Sequence, residues 1–298
     1  MPVNPIADHL TSAERELLTY ATRLCPDLDP VQVMYRSRTS LVLAGTLDGA
    51  AVVAKIRTPD WRKHSVREIE TYECFAATQL PVAVPRCFGA DPEYGVLVLE
   101  KLDGEVIAPD RFPAVPVSER DLTGVLSAVD RLRHWHPEVP RSWQIDYQSR
   151  FAGIKAQDLF RDADWTAVAC LLERSGEPRE FGHGDLVMAN VMRTETGYAL
   201  IDWASSALYL PGFDLAQLWL LLEETPGARE RVEAVVAARE DAPRDRESFL
   251  LNLTMLLYRE QRAHGRLTDD VSRARAVRLE ASWEQVLEQV RRCAADPR

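Results

Sequence analysis

The sequence contains no apolar run long enough to cross a lipid bilayer. Its first 20 residues also lack the basic flank and apolar core of a secretory signal peptide. Its five cysteines are an odd number with no C-x-x-C pair, which argues against a disulfide framework and against a zinc ribbon. We therefore expect a cytoplasmic protein that keeps its thiols reduced and does not bind membranes.

An excess of basic residues is also missing. The 36 lysines and arginines are outnumbered by 46 aspartates and glutamates, and the net charge of −10 argues against a general nucleic-acid-binding protein. An acidic surface would suit a cationic substrate, although it is also typical of a soluble protein. With 298 residues, 46% of them hydrophobic, and no internal repeat, the chain is long enough for two lobes, and we expect a monomer.

The first hundred residues are predicted to form a small sheet with helices. Asp48-Gly49 is typical of a two-residue turn between hairpin strands. The predicted elements are a helix that begins after Thr11 with Glu14 completing a capping box, three strands within 31–57, a helix near 61–78 and a buried strand at 94–100.

The rest of the chain, from about residue 104, is predicted to be mainly helical. A short β-rich segment at 182–202 interrupts the helices and contains a hairpin that turns at 195–197. We therefore expect an α+β protein with a small β-rich lobe at 1–102 and a larger, mainly helical lobe at 103–298. The candidate helices are 118–135, 147–175, 212–224, 226–240, 246–264 and 270–294.

Three polar residues in the β-rich segment have the types and the order that phosphoryl transfer requires. Asp185 and Asn190 lie five residues apart in the stretch HGDLVMANVM, and Asp202 follows at the end of a strand. One carboxylate must accept the proton of the attacking hydroxyl, and two oxygen ligands must hold Mg²⁺ on the phosphates. On its own, an aspartate five residues before an asparagine more often marks a turn and its capping residue than a catalytic site. The assignment therefore depends on other residues.

A lysine upstream supplies a group that such a site also needs. Lys55 lies inside a predicted strand, where lysine is disfavoured, and Glu68 follows on the predicted helix. Taken alone, Lys55 could be an edge-strand lysine whose stem covers apolar surface. A strand lysine held by a helix glutamate and directed at the α- and β-phosphates is the arrangement of protein kinases.

With these residues in this order, the sequence resembles a known family. HGDLVMANVM, followed by YALIDWASS and GFDLAQLW, is similar to motifs of the aminoglycoside phosphotransferases and related small-molecule kinases, among them choline, homoserine and fructosamine kinases. The resemblance covers roughly residues 31–225. It implies a two-lobed protein-kinase-like fold and Mg²⁺-dependent transfer of the γ-phosphoryl group of ATP or GTP to a hydroxyl. The acceptor would be small and could be cationic, such as an aminoglycoside or another antibiotic.

The resemblance also assigns roles to the chemistry-bearing residues. It makes Asp185 the catalytic base and makes Asn190 and Asp202 the Mg²⁺ ligands. It implies that Lys55 binds the phosphates and that Glu68 holds Lys55 in place. Glu70 is the alternative to Glu68, because the family pattern there requires a one-residue shift.

Two further segments are similar to the nucleotide-binding parts of the family. LEKLDG resembles the interlobe hinge, so the backbone of Glu100 and Leu102 would contact the adenine, with Leu99 beside the base. The segment 36–40, which would cover the phosphates, has no glycine triplet. Backbone amides and hydroxyl groups would then do this work, and the candidates are Ser37, Thr39 and Ser40.

The segment after Asp202 indicates a small acceptor. Only eleven residues separate Asp202 from Asp214, too few for the activation segment and peptide platform of a protein kinase. Asp214 in GFDLA resembles the family's buried aspartate, which supports the catalytic loop. His183 would brace the same loop, and Gly184 would let it turn tightly.

Three other groups of histidines and carboxylates could form metal or substrate sites. A zinc site at His183 and Asp185 is disfavoured, because no further histidine or cysteine lies at ligand spacing. The pair in His134-Trp135-His136 would point apart on a helix, which predicts a surface location. Glu223 and Glu224 are predicted to be solvated residues at a helix end, and the resemblance offers them as contacts for an ammonium-bearing acceptor.

Two alternatives stay open from the sequence. The shared motifs do not separate an antibiotic-resistance kinase from a metabolic kinase of the choline, homoserine or sugar-derivative type. A nucleotide-binding pseudokinase module is the alternative outside the enzymes. Such modules typically lose the lysine, the base or a metal ligand, and all of these residues are present here.

Overall fold

A computed structural model describes Ile6 and residues 9–157, 159–265 and 269–296. The chain divides into two compact units. The first consists of the described residues up to Ile107 together with Asn190–Ser206, and the second of Ala108–Ala189 together with those from Ala207 onward. This division is not a single cut near residue 102, because the segment 190–206 returns to pair with a strand of the first unit.

The first unit is built on antiparallel sheets and two helices. Its five-stranded sheet has the order β1-β2-β3-β5-β4, and a second, three-stranded sheet has the order β6-β8-β9. The elements are α1 (Ser12–Leu24), β1 (Leu28–Arg36), β2 (Ser40–Leu47), β3 (Ala50–Arg57), α2 (Val66–Ala77), β4 (Cys87–Asp91), β5 (Val96–Glu100), β6 (Glu105–Val106), β8 (Val191–Thr194) and β9 (Gly197–Leu200).

Local sequence explains several of these elements. The capping box at the start of α1 forms as predicted, because the Thr11 hydroxyl accepts the Glu14 amide and the Glu14 carboxylate accepts the Thr11 amide. The turn between β2 and β3 also forms as predicted. Asp48 and Gly49 both have positive φ, of 50° and 81°, which a two-residue turn of this hand requires.

Alternate side chains of β3 lie on opposite faces of the sheet. One face packs against the α1 core, and the other carries Lys55. Val52, Ala54 and Ile56 are buried in one cluster with residues of α1, including Leu17 and Ala21. Because successive side chains of a strand point to opposite faces, Val53 and Lys55 lie on the other face of the sheet. The register pairs Lys55 with Val42 of β2 and with Leu97 of β5. The strand pattern therefore puts the lysine on the face away from the α1 core.

The second unit is mainly helical. Its helices are α3 (Glu119–Arg133), α4 (Tyr147–Lys155), α5 (Asp162–Ser175), α6 (Phe213–Leu221), α7 (Ala228–Ala237), α8 (Ala242–His264) and α9 (Asp270–Ala295), and a two-stranded sheet joins β7 (Glu180–Gly182) to β10 (Ala207–Tyr209). Every residue of helix α6 is buried, so the helix packs against other parts of the protein on all of its sides. Strand β7 leads directly into the sequence HGD.

Two predicted helices differ from those observed. The single helix expected at 147–175 is two helices, α4 and α5, with Asp158 between them outside the described residues. A new helix starts because the Asp164 carboxylate accepts the Arg161 amide at 3.1 Å. The helix expected near 61–78 is a short 3-10 helix, 59–64, followed by α2.

Candidate active site

A mainly apolar cavity of about 300 Å³ lies in the first unit, on the face of the sheet that carries Lys55. Its apolar wall comes from strands of both sheets, and its polar end is formed by Lys55, Glu68 and Asp202. The lining residues are Met34, Val42, Val53, Lys55, Glu68, Pro85, Leu99, Glu100, Lys101, Leu102, Gly104, Met192, Ile201 and Asp202. A mainly apolar cavity with a lysine ammonium group at its polar end has the chemistry for a nucleotide base with its phosphates.

Lys55 joins the two carboxylates at the polar end of the cavity. Its Nζ lies 2.8 Å from Glu68 Oε2 and 2.8 Å from Asp202 Oδ1. The Glu68 side chain is only 2% exposed, whereas that of Asp202 is 46% exposed. Glu70, the sequence alternative, instead lies 3.8 Å from Arg67. The structure therefore brings Lys55 together with Glu68 and not with Glu70.

The charges of this cluster follow from burial and pairing. Burial alone would lower the pKa of Lys55, but the Glu68 and Asp202 carboxylates outweigh it and raise that pKa above its ordinary value. Burial also raises the pKa of Glu68, and Lys55 and Arg57 oppose that shift. Lys55 therefore stays protonated at neutral pH and presents a cation to the cavity.

The hinge segment after β5 offers a backbone edge to the cavity. The Glu100 amide donates to Arg86 O at 2.8 Å and the Lys101 amide donates to Ala51 O at 2.9 Å, so both are committed to the fold. Leu102 lines the cavity, and no acceptor for its amide exists among the described residues. The carbonyl of Glu100 and the amide of Leu102 are the groups that could pair with the edge of a base.

The segment that was predicted to cover the phosphates is held in a tight turn. The Ser37 hydroxyl accepts the amides of Thr39 at 3.1 Å and Ser40 at 3.0 Å. The Ser37 amide donates in turn to Ser40 O at 3.0 Å. Ser37, Thr39 and Ser40 are not among the residues lining the cavity. A phosphate would have to replace the Ser37 hydroxyl to use these amides, so their role stays a prediction.

The two expected metal ligands lie at the same end of the β8–β9 hairpin. The Ile201 amide donates to Asn190 O at 3.0 Å, which places Asp202 next to the residue paired with Asn190. Asp202 has a φ of 61°, a left-handed conformation that few residues other than glycine adopt and that turns the chain directly after β9. A carboxylate and an amide oxygen are hard ligands that fit Mg²⁺, which commonly takes one or two protein ligands and completes its shell with phosphates and water.

The HGD loop (His183–Ala189) belongs to the second unit and is held by buried side chains of α6. Asp214 accepts the amides of His183 at 2.8 Å and Gly184 at 3.0 Å. Gln217, one turn further along α6, accepts the Leu186 amide at 2.9 Å and donates to Gly184 O at 3.2 Å. Gly184 has a φ of 79°, which suits glycine. Asp214 and Gln217 therefore both contact the HGD loop, and the contacts of Gln217 were not predicted from the sequence. The supporting role of Asp214 stays a prediction.

His183 is fully buried at the start of the HGD loop. Its Nδ1 accepts the Asp185 amide at 3.3 Å. Burial raises the pKa of Asp214, and the neighbouring His183 together with the two accepted amides opposes that shift. His183 therefore braces the loop from within, which leaves Asp185 as the carboxylate at the surface of the loop.

Asp185 has a partner that sequence reasoning missed. Arg111 Nη1 lies 3.0 Å from Asp185 Oδ1, and Arg111 Nη2 lies 2.8 Å from Glu260 Oε1. The Glu260 side chain is 4% exposed, so it is a buried anchor for the arginine. No local sequence motif identifies Arg111 or Glu260, because each resembles an ordinary surface charge in its own segment.

The expected substrate carboxylates are only partly as predicted. Glu224 is 53% exposed, as predicted for a helix end, and it lies 3.1 Å from Arg278 Nη2. The prediction was wrong for Glu223, whose side chain is only 6% exposed. Arg278 Nε lies 3.0 Å from Glu223, and Arg229 Nη2 lies 3.7 Å from it. The two arginines cover Glu223 and remove it from solvent.

The two histidines of His134-Trp135-His136 lie where helix α3 ends. His134 is the residue that ends α3, where its Nδ1 lies 2.8 Å from Asp130 O, so the His134–His136 pair is not on a helix.

Within the described ranges, no three histidine, cysteine, aspartate or glutamate side chains cluster as a metal site. In the same part of the chain, no helix is long and apolar enough to cross a membrane.

A family model places the chain among known enzymes. The model of the phosphotransferase enzyme family, known as APH, matches residues 30–250, about three-quarters of the sequence. The chain therefore belongs to this family of phosphotransferases, and it is a small-molecule kinase. No curated protein matches the sequence significantly.

Solved structures of similar fold are small-molecule kinases. Choline kinase LicA from Streptococcus pneumoniae aligns with a TM-score of 0.59 at 17% identity, covering 93% of this chain and 100% of that one. A choline/ethanolamine kinase family protein from Mesorhizobium loti aligns with a TM-score of 0.57 at 16% identity, covering 89% and 92%. Aminoglycoside phosphotransferase APH(4)-Ia, as a thermostable mutant with ADP and hygromycin B, aligns with 0.57 at 15% identity, covering 96% and 100%. The fold is protein-kinase-like, as expected.

Proposed function

We propose that the protein transfers the γ-phosphoryl group of ATP or GTP to a hydroxyl of a small acceptor. The observation that carries the proposal is the position of Lys55 between Glu68 and Asp202 at the polar end of an apolar cavity. A lysine that is only 13% exposed, with an exposed carboxylate beside it, serves no packing purpose. The proposed reaction needs the lysine on the nucleotide phosphates and the carboxylate on Mg²⁺. Aminoglycoside phosphotransferase APH(4)-Ia, a structural neighbour, was solved with ADP, which supports a nucleotide in this cavity.

The cavity residues would orient the nucleotide. The base would lie between the apolar walls, with the Glu100 carbonyl and the Leu102 amide at its edge and Leu99 beside it. Lys55 would donate hydrogen bonds to the α- and β-phosphates while Glu68 keeps its ammonium group in position. Asn190 and Asp202 would hold Mg²⁺, which when bound would neutralise phosphate charge.

Asp185 would handle the acceptor. The acceptor oxygen forms a bond to the γ-phosphorus, and its proton passes to the Asp185 carboxylate. The bond from the γ-phosphorus to the bridging β–γ oxygen breaks, and the nucleoside diphosphate leaves with that electron pair. Asp185 Oδ1 accepts a hydrogen bond from Arg111, which would hold the carboxylate in position for the acceptor hydroxyl. Catalysis would then come chiefly from positioning and charge neutralisation.

The test is a mass-spectrometric screen for phosphorylated products with Mg²⁺ and ATP or GTP. The acceptor panel holds aminoglycosides, other antibiotics, choline, homoserine and sugar derivatives, and Asp185→Asn is the blank. A product that forms only with the unmodified protein supports the proposal, and its identity separates a resistance role from a metabolic one. Tight nucleotide binding without any transfer or hydrolysis above the blank would instead identify a pseudokinase module.

A further inference from the structure

The surroundings of Asp185 say what kind of acceptor could reach it, provided that the proposed function holds. A hydroxyl that gives its proton to Asp185 must come within hydrogen-bond distance of that carboxylate. Arg111 Nη1 already lies 3.0 Å from Asp185 Oδ1, so the acceptor must lie against this guanidinium group as well. A cation at that place would meet a fixed positive charge.

Three other carboxylates of the second unit, those of Glu260, Glu223 and Glu224, are paired with arginines. Glu260 has Arg111 at 2.8 Å and Arg259 at 3.3 Å. Glu223 has Arg278 Nε at 3.0 Å, and the same arginine reaches Glu224 through Nη2 at 3.1 Å. An ammonium group could use these carboxylates only by displacing a guanidinium, and for Glu223 and Glu260 that means breaking a buried ion pair. Breaking such pairs is costly.

Arg275 is an arginine beside this group that contacts an aromatic ring. The Arg275 guanidinium lies over the ring of Phe112, with Cζ 3.7 Å from the ring centroid. Among the described residues no carboxylate forms a salt bridge with Arg275, and its Nη1 is shielded from solvent without a hydrogen-bond partner. Burial lowers the pKa of Arg275, although Glu223 opposes this shift. The ring contact and the nearby carboxylates of Glu223, Glu224 and Glu260 stabilise the cation in part. Because none of these carboxylates forms a salt bridge with Arg275 within the described part of the chain, an anion could still bind its guanidinium group.

Two consecutive residues, Arg111 and Phe112, link Arg275 to Asp185. Arg111 contacts Asp185, and Phe112 contacts Arg275. Phe112 follows Arg111 in the chain and packs in a small apolar cluster with Val187 of the HGD loop. His264, whose ring centroid is 5.5 Å from that of Phe112, also has an Nδ1 shielded from solvent without a partner. Arg275 Nη1 and His264 Nδ1, which have no hydrogen-bond partner among the described residues, therefore flank Phe112 next to the arginine that holds Asp185.

We propose that the acceptor carries an anionic group, a carboxylate or a phosphate, which Arg275 binds while the acceptor hydroxyl reaches Asp185. The planar guanidinium group matches both oxyanions, which can accept hydrogen bonds from it in pairs. The anionic group is not consumed, and the transferred phosphoryl group goes to the hydroxyl as in the proposed reaction. The fixed charge of Arg111 would discriminate against ammonium-bearing acceptors in the same place.

The experiment compares short hydroxy compounds that differ in charge, with the full-length protein, ATP and Mg²⁺. The anionic set is glycerate, other hydroxy acids and sugar phosphates. The cationic set is choline, ethanolamine and hygromycin B, and glycerol is the neutral reference. We expect kcat/KM for the best anionic acceptor to exceed that of every cationic one by at least about tenfold, the low end for a charge-assisted hydrogen bond.

Arg275→Gln is then expected to raise KM for that anionic acceptor by roughly 10- to 100-fold and to leave the KM of ATP unchanged. Arg292→Gln, on the same helix and exposed, is the matched control and should change neither value. Thermal unfolding of both variants shows whether the fold is kept. If Arg275→Gln does not fold, Arg275→Lys, which keeps the charge but not the fork, should still show a raised KM.

The outcomes separate this inference from the proposed function. Faster phosphorylation of a cationic acceptor, no product from any anionic acceptor, or an unchanged preference in Arg275→Gln would each overturn the inference and leave the kinase assignment in place. Absence of transfer from ATP to any acceptor, with hydrolysis no faster than in Asp185→Asn, would overturn the proposed function itself.

Discussion

The ammonium group of Lys55 lies 2.8 Å from the carboxylate of Asp202, although 147 residues separate them in the chain. The contact forms because β3 places Lys55 on the cavity face of its sheet and the β8–β9 hairpin ends at Asp202 within the same unit. The folding of the first unit therefore brings together the lysine that the proposed reaction needs on the phosphates and the carboxylate that it needs on Mg²⁺.

Glu68 is expected to matter for activity and Glu70 is not. Glu68→Gln removes the buried charge that holds Lys55, and we expect kcat/KM for ATP to fall roughly 10- to 100-fold, as for the loss of a charge-assisted hydrogen bond. Glu70→Gln is a matched control two residues away, because Glu70 pairs with Arg67 on the same helix and not with Lys55 within the described residues. Steady-state kinetics at varied ATP concentration distinguish them, and equal effects of the two changes would contradict the assignment.

Asp202 is expected to control the requirement for Mg²⁺. Asp202→Asn keeps the size and one oxygen but removes the charge, so we expect activity to fall at least about 100-fold and half-maximal activity to require more Mg²⁺. Asp103→Asn changes an exposed aspartate and serves as the control. The measurement is a Mg²⁺ titration at saturating ATP, and an unchanged midpoint in Asp202→Asn would show that this carboxylate does not hold the metal.

Asp214 is expected to contribute to stability. Asp214→Ala leaves the buried amides of His183 and Gly184 without an acceptor, and we expect a loss of about 2–4 kcal/mol in the free energy of unfolding. Asp214→Asn keeps one acceptor oxygen and should lose less. Urea unfolding followed by circular dichroism measures both values. Equal stability of Asp214→Ala and the unmodified protein would mean that this contact does not hold the loop.

Glu260 is expected to make stability depend on acid pH. Burial would raise the pKa of Glu260, but the hydrogen bonds and charge of Arg111 outweigh it and hold the pKa below its ordinary value of 4.5. A lowered pKa in the folded state means that the stabilisation is complete above 4.5 and is lost as the pH falls further. Between about pH 5 and pH 4, the unmodified protein should lose up to about 1 kcal/mol more than Glu260→Gln. Parallel curves of unfolding free energy against pH would exclude this role.

Sequence reasoning found the residues that break the local pattern. Lys55 stands in a strand, and Asp185 and Asp202 stand in an apolar stretch, so packing could not explain them. The single helix expected at 147–175 was wrong because the apolar spacing continues through Phe160, while Asp164 starts a second helix. Short strands such as β4 were missed because glycine, alanine and cysteine carry little strand signal.

Contacts between distant segments could not be predicted in the same way. Arg111 and Glu260 are 149 residues apart, and each resembles a solvated charge in its own segment. Glu223 was expected in solvent because it follows a helix end, and only the folded chain shows Arg278 and Arg229 covering it. Which carboxylates are free for a substrate is therefore a property of the fold and not of the local sequence.

The most direct test of the account is a pair of measurements on Asp185→Asn: the Kd of ATP with Mg²⁺, and the rate of phosphoryl transfer to the best acceptor. Because Asp185 is assigned to the acceptor hydroxyl and not to the nucleotide, we expect the Kd to stay within about twofold, since no nucleotide contact is lost. The transfer rate should fall at least about 100-fold, the lower range for loss of a general base. Transfer at the unmodified rate would contradict the account.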